Sequence, residues 1–148
     1  MITKSPEETI EAGRKYAGNL KGGEVIGLIG ELGGGKTVFV KGLAEGLGIK
    51  DLITSPTFVL LKEYKLSPRH LHLEGVKTEV LGFMVHVDAY RVESFKDIKS
   101  IGIEDYLGRD NTIVIVEWAE KIRKTLPKNT IYIKFNHINE NVREIILR

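Results

Sequence analysis

Gly30-Glu31-Leu32-Gly33-Gly34-Gly35-Lys36-Thr37 decides the reading of this chain. The octapeptide fits G-x-x-x-x-G-K-[ST] at every required position. Glycines at this spacing let backbone N–H groups turn inward around phosphate oxygens, and the N-terminus of a following helix adds partial positive charge. A lysine at position 36 would reach the β- and γ-phosphates of a nucleoside triphosphate, and the Thr37 hydroxyl would ligate Mg²⁺. The expected ligand is ATP with Mg²⁺.

The flanks agree with that reading. Glu24 to Ile29 (EVIGLI) is a short apolar run that predicts a buried strand, and Lys36 to about Leu47 predicts a helix stopped by Gly48. Upstream, Ser5-Pro6-Glu7-Glu8 marks a helix start, with Ser5 as cap, Pro6 in the first turn and Glu8 closing a capping box. That helix is expected to run to Leu20, with Ile10, Tyr16, Ala17 and Leu20 on its apolar face. Downstream, strands are expected over 57–64, 80–87, 112–116, 130–135 and 144–147. Short helices are expected over 94–107, broken at Gly102, and over 119–126. Residues 65–79 read as a long loop or hairpin arm. Strands interleaved with helices predict an α/β fold: one P-loop NTPase-like domain over residues 1–148, with a partly parallel central sheet flanked by helices.

Composition sets the outer limits. The chain has 148 residues, 42% hydrophobic and 28% charged, which suits an ordinary globular domain. Its 22 basic residues are scattered among 20 acidic ones, so net charge argues for no particular partner. The absence of cysteine excludes disulfides and thiolate metal sites. The apolar runs are too short for a membrane span. The N-terminal MITKSPEET is polar and lacks the apolar core of a signal peptide, so the expected location is the cytoplasm.

A P-loop site also needs acids at the ends of neighbouring strands. Glu117 follows the apolar run Ile113 to Val116, and Asp88 follows Phe83 to Val87. Either carboxylate could hold Mg²⁺, directly or through water, or orient an attacking water. Ser55-Pro56-Thr57 lies where a switch segment could meet the γ-phosphate. Trp118 could pack over the site, over a partner or in the core. His70, His72 and His86 are too few to predict a metal centre, and the first two read as solvated loop residues.

Four segments occur in order: GELGGGKT at 30–37, SPTF at 55–58, HVDAYR at 86–91 and VEW at 116–118. Together they resemble the TsaE (YjeE) family, small P-loop ATPases of bacterial tRNA threonylcarbamoyladenosine synthesis. The resemblance spans Glu8 to Arg143. It implies a cytoplasmic ATPase that joins two partners, TsaB and TsaD. TsaD and its relatives transfer a threonylcarbamoyl group to an adenosine beside the anticodon, while the ATPase supports repeated cycles. Direct contact with tRNA is left open.

By this resemblance, Lys36, Asp88 and Glu117 form the catalytic set, and Thr37 and Glu117 ligate Mg²⁺. The ATP-binding set is Ser5, the loop residues Leu32, Gly33, Gly34, Gly35, Lys36, Thr37 and Val38, and Arg143. Thr57, Tyr90, Arg91 and Trp118 fall in motif segments, with Trp118 beside the nucleotide or a partner surface. The family commonly has Ala at the position of Gly34 and Thr or Ser at that of Val38, and its arm is usually shorter. Two rival readings follow from the residues. A small-molecule kinase would need lid arginines, and the arm offers only Arg69. A nucleotide-gated switch of the GTP type would need an Asn-Lys-x-Asp segment, which the sequence lacks.

Overall fold

The structure is a computed structural model that describes residues 1–56, 60–66 and 82–147. Its centre is the strand predicted before the glycine-rich loop, β2 (Val25–Gly30). β2 pairs in parallel with β5 (Thr112–Glu117) on one side and with β6 (Ile131–His137) on the other. β4 (Phe83–Asp88) runs parallel to β5 beyond it. The flanks are antiparallel: β3 (Leu61–Lys65) on β4, β7 (Arg143–Leu147) on β6, and β1 (Ile2–Thr3) on β7. The seven-stranded sheet has the order β1-β7-β6-β2-β5-β4-β3. The fold is thus α/β with a mixed, partly parallel sheet flanked by helices, as the alternation of elements predicted.

Period-two alternation sorts the central strands between two cores. Ile26, Leu28, Met84, Ile113, Ile115, Ile133 and Phe135 face α1 (Pro6–Ala17) and α2 (Lys36–Gly46). Val25, Val85, Val87, Val114 and Val116 face the other way, onto Ile101 of α3 (Phe95–Ile101), Ile103 and Ile122. β4 and β5 are buried along almost their whole length, which explains their unbroken apolar runs.

α1 begins as expected. Ser5 accepts a hydrogen bond from the Glu8 backbone N–H at 3.3 Å, but the Glu8 carboxylate reaches back to the Lys4 N–H at 2.7 Å rather than to Ser5. The helix stops at Ala17, short of Leu20, and Leu20 is buried by the turn that follows. α1 buries Thr9, Ala12, Gly13 and Ala17 and lies against α2 through small residues.

Other boundaries shift for identifiable reasons. The described part of the strand expected over 57–64 begins only at Leu61, because Leu60 has φ of 66° and its N–H turns back to the Pro56 carbonyl at 2.6 Å. Gly102, with φ of 72°, breaks the 94–107 segment where predicted, into α3 and a 3-10 turn over Ile103–Asp105. The helix expected over 119–126 is a 3-10 turn over Ala119–Ile122. Thr57, and the arm with Arg69, His70 and His72, lie outside the described residues. Among the described residues, no helix is long and apolar enough to cross a membrane.

Candidate functional site

β2, β4 and β5 run parallel, so their carboxyl ends share one edge of the sheet, the edge where open α/β sheets form their crevices. β2 ends at Gly30 and enters the glycine-rich loop, β4 ends at Asp88 and β5 at Glu117. Register puts Asp88 directly opposite Glu117, and Leu28 opposite Glu117 on the other side. The two acids, distant in sequence, thus become neighbours on the face covered by α2.

The loop then folds back over this edge. Gly30 has φ of 132°, and a Cβ there would sit 2.1 Å from the Phe135 carbonyl oxygen, so no larger residue fits. α2 starts at Lys36 with Gly35 in the left-handed region as its cap, which leaves the first turn's N–H groups facing the crevice. Lys36 Nζ donates to the carbonyls of Gly30 at 2.6 Å and Glu31 at 2.8 Å. It also lies 3.8 Å from the centre of the Trp118 ring, a cation–π contact. Burial pulls the Lys36 pKa below the ordinary lysine value, while the negative charges of Glu117, Glu120 and Asp88 oppose that shift.

One turn into the site, the Thr37 hydroxyl donates across both oxygens of Glu117, at 2.9 and 2.8 Å. Glu117 Oε1 also meets His86 Nε2 at 2.8 Å. Asp88 accepts from the Ser55 hydroxyl on one oxygen and from the Tyr90 N–H at 2.9 Å on the other. Lys36, Asp88, Glu117 and His86 are 5%, 4%, 3% and 0% exposed. Charges removed this far from water are costly unless partnered, and Lys36, Asp88 and Glu117 each have polar partners built around them.

Trp118 closes the wall. It is a non-glycine residue in the left-handed region, at φ 57° and ψ 39°, a conformation that costs about 1–3 kcal/mol where the surroundings hold it. The turn swings the indole back over Lys36 and against Tyr90, with ring centres 5.1 Å apart. Arg143 at the start of β7 reaches the loop: its Nε donates to the Gly33 carbonyl at 2.8 Å.

Lys36, Thr37, Asp88, Glu117, Trp118 and Arg143 line one cavity of about 540 Å³. It brings together Ser5, Leu32, Gly33, Gly34, Gly35, Lys36, Thr37, Val38, Asp88, Tyr90, Glu117, Trp118 and Arg143 from the sequence-derived set. Arg91 is exposed and is not on the cavity wall, and Thr57 is outside the described residues. The structure adds Pro6 and Thr9 of α1 and Glu140 and Asn141 of the β6–β7 turn. No local pattern marks that turn, because it reaches the loop only through the antiparallel return of the chain. His86 was also missed as a site residue. Its signal was the spacing His-x-Asp, which sets His86 and Asp88 on the same face of one strand.

Comparison with known proteins agrees with this fold. The family model "Threonylcarbamoyl adenosine biosynthesis protein TsaE" matches residues 3–145. A Bacillus subtilis protein named tRNA threonylcarbamoyladenosine biosynthesis protein TsaE is 36% identical over 143 residues, covering 97% of this chain and 80% of its own length. Proteins of the same name from Treponema pallidum and Aquifex aeolicus are 35% and 34% identical, covering 97% and 98% of this chain and 96% and 92% of their own. The crystal structure of Bacillus subtilis YdiB superimposes with a TM-score of 0.74 at 31% identity, over 99% of this chain and 82% of that one. The chain belongs to the TsaE family.

Proposed function

We propose that this chain binds ATP with Mg²⁺ and hydrolyses it as the nucleotide-driven component of the machinery that makes threonylcarbamoyladenosine in tRNA. The observation that carries the reading is the meeting of the Thr37 hydroxyl, the buried Glu117 carboxylate and the Lys36 ammonium beneath a glycine-rich loop. The relatives' names supply the biological setting.

The donor set suits the metal. Thr37 and Glu117 offer hard oxygen ligands, and Asp88 lies in register beside them. Among the described residues, no group of three His, Cys, Asp or Glu side chains is arranged to hold a metal ion unaided. Mg²⁺ typically takes one or two carboxylates together with substrate phosphates and water. When bound there, the ion neutralises charge that develops on the phosphate oxygens.

The chain's own groups do the rest. The first-turn N–H groups of α2 and the loop amides hold the phosphates, and Lys36 turns from the Gly30 and Glu31 carbonyls onto the β- and γ-oxygens. Asp88, fixed by Ser55 and the Tyr90 N–H, orients a water in line with the γ-phosphorus. Water adds to that phosphorus, the bond to the β–γ bridging oxygen breaks, ADP and phosphate leave, and the proton passes to solvent. Ser5 and Arg143, on the cavity wall, hold the nucleoside.

In this reading the chain is a cytoplasmic partner of TsaB and TsaD and does not itself transfer the threonylcarbamoyl group. Among the described residues, the cavity wall has no arginine besides Arg143, which is tied to the Gly33 carbonyl. A supplied arginine is worth about 10³- to 10⁵-fold in other phosphoryl-transfer sites. Slow turnover alone and acceleration by partners are therefore expected. Phosphate release is measured with and without Mg²⁺, and with TsaB and TsaD added. Absence of Mg²⁺-dependent release under every one of these conditions refutes the ATPase reading. Turnover near 10 s⁻¹ by the isolated chain, unchanged by partners, refutes activation.

A further inference from the structure

We propose that His86 is a positioning residue: its Nε2–H pins one oxygen of Glu117 and so presents the other toward the metal. The inference rests on the reading of Glu117 as a Mg²⁺ ligand and adds a residue that the sequence motifs did not assign a role.

The geometry begins with the sheet. β4 and β5 are parallel neighbours, with His86 opposite Ile115 and Asp88 opposite Glu117. Side chains two apart on a strand share a face, so His86 lies one step behind the two acids, on the side covered by α2. There its Nε2 stands 2.8 Å from Glu117 Oε1. The Thr37 hydroxyl reaches both oxygens, at 2.9 Å to Oε1 and 2.8 Å to Oε2, and among the described residues it is the one partner of Oε2. The carboxylate is therefore anchored unequally. Oε1 is tied to a fully buried ring in the sheet as well as to Thr37, whereas Oε2 meets the first turn of α2 alone among the described residues.

That asymmetry matters because a carboxylate turns easily about its last torsion, which has no sharp rotamer wells. Thr37 cannot serve as an independent anchor, since its hydroxyl belongs to the same metal set. His86 is outside that set and rigid within the core. Groups that orient a metal ligand from behind in this way commonly govern metal affinity.

The ring's other nitrogen strengthens the argument. His86 Nδ1 is buried and has no hydrogen-bond partner among the described residues. A ring proton on Nδ1 would be buried without an acceptor, so the Glu117 contact sets the proton on Nε2. An unpartnered buried polar atom costs stability. Phe or Met would fill this stretch of core without that cost. A purely packing role therefore explains the residue poorly, whereas a role through Nε2 explains it directly.

The test uses the full chain with a non-hydrolysable ATP analogue, titrated with Mg²⁺. His86→Phe keeps the volume and removes the donor. It is expected to raise the Mg²⁺ midpoint by about 10- to 100-fold, while analogue affinity in EDTA stays at the wild-type value. His86→Gln carries an N–H near the Nε2 position and is expected to recover most of the loss. An unshifted midpoint in His86→Phe, an equal fall in EDTA affinity, or a His86→Gln that behaves like His86→Phe overturns the inference. Long-range ¹H–¹⁵N spectra of the unmodified chain give a readout independent of any variant: Nε2–H supports the proposal and Nδ1–H overturns it. Glu117→Gln separates the two levels. If it too leaves the Mg²⁺ midpoint unchanged, the metal-ligand reading itself falls. If it shifts the midpoint and His86→Phe does not, only the role of His86 falls.

Discussion

Replacing Gly42 by Ala sets two effects of opposite sign against each other, and the structure says which wins. Gly42 is in the interior of α2, where Ala is favoured over Gly by about 0.8–1 kcal/mol of helix propensity. A Cβ there would sit 2.0 Å from the Ile10 carbonyl oxygen and within 3 Å of the Ile10 carbonyl and α carbons. Ordinary contact begins at 3.4 Å, and the obstructing atoms are backbone, so α1 would have to retreat by more than an ångström. The contact is reciprocal: a Cβ on Gly13 would sit 2.3 Å from the Phe39 carbonyl oxygen. Forced overpacking of a close-packed core costs about 1–3 kcal/mol, and moving a whole helix belongs at or above the top of that range. Net destabilisation of about 2 kcal/mol is expected after the propensity gain, which lowers Tm by about 4–8 °C in a domain of this size. Gly18→Ala is the control. Gly18 has a helical φ of −62°, and its Cβ would stand 3.4 Å from the nearest atom, so the same substitution should raise stability by up to about 1 kcal/mol. Thermal melts by circular dichroism read both. A Gly42→Ala chain that melts at or above wild type refutes the account of the helix contact. Because α1 also carries Ser5 and Thr9 to the cavity wall, the displaced helix should weaken nucleotide binding as well.

Three further outcomes are expected. Lys36→Ala should abolish ATP turnover, because on the proposed reading it removes the loop ammonium that reaches the phosphates; unchanged phosphate release would take Lys36 out of the mechanism. Lys36→Met tests the buried charge. Between the lowered folded-state pKa and the unfolded value, the unfolded chain keeps a proton that the folded chain has released, so wild-type stability gains with rising pH through that window. The substitution should flatten that gain, and superimposable pH–stability curves would contradict it. Glu117→Gln should impair Mg²⁺-dependent hydrolysis more than nucleotide binding in EDTA, and an identical Mg²⁺ midpoint and rate in mutant and wild type would exclude the ligand role.

How much of this was legible in the sequence depends on the range of each interaction. The loop and α2 were readable because their signals are local: glycines at fixed offsets, then Lys36-Thr37, then an amphipathic run. Asp88 and Glu117 were readable as acids ending apolar strands. Their adjacency was not, since it follows from the parallel register of β4 on β5, and nothing in either strand alone states which strands pair. β1 escaped notice because two residues carry no period, and it is held by pairing with β7 at the other end of the chain. Arg143 meets Gly33 across a separation of 110 residues, so only the resemblance to a family, and no local pattern, pointed to it.

Trp118 and His86 show a different limit. The sequence left Trp118 open between core, partner and site, because an indole suits all three. What decides it is one backbone torsion at the end of β5. Trp118 stands in the left-handed region there, and its ring lies over Lys36. His86 misled in the opposite direction. Counted as one of a few scattered histidines it predicts nothing, since metal centres need several ligands. Its meaning comes from the carboxylate it faces, and that carboxylate lies 31 residues away on the neighbouring strand. Both residues act through a partner that tertiary structure delivers, Lys36 for one and Glu117 for the other. The local motif therefore identifies the groups that would touch nucleotide and metal, and the sheet register and one strained turn supply the groups that hold them in place.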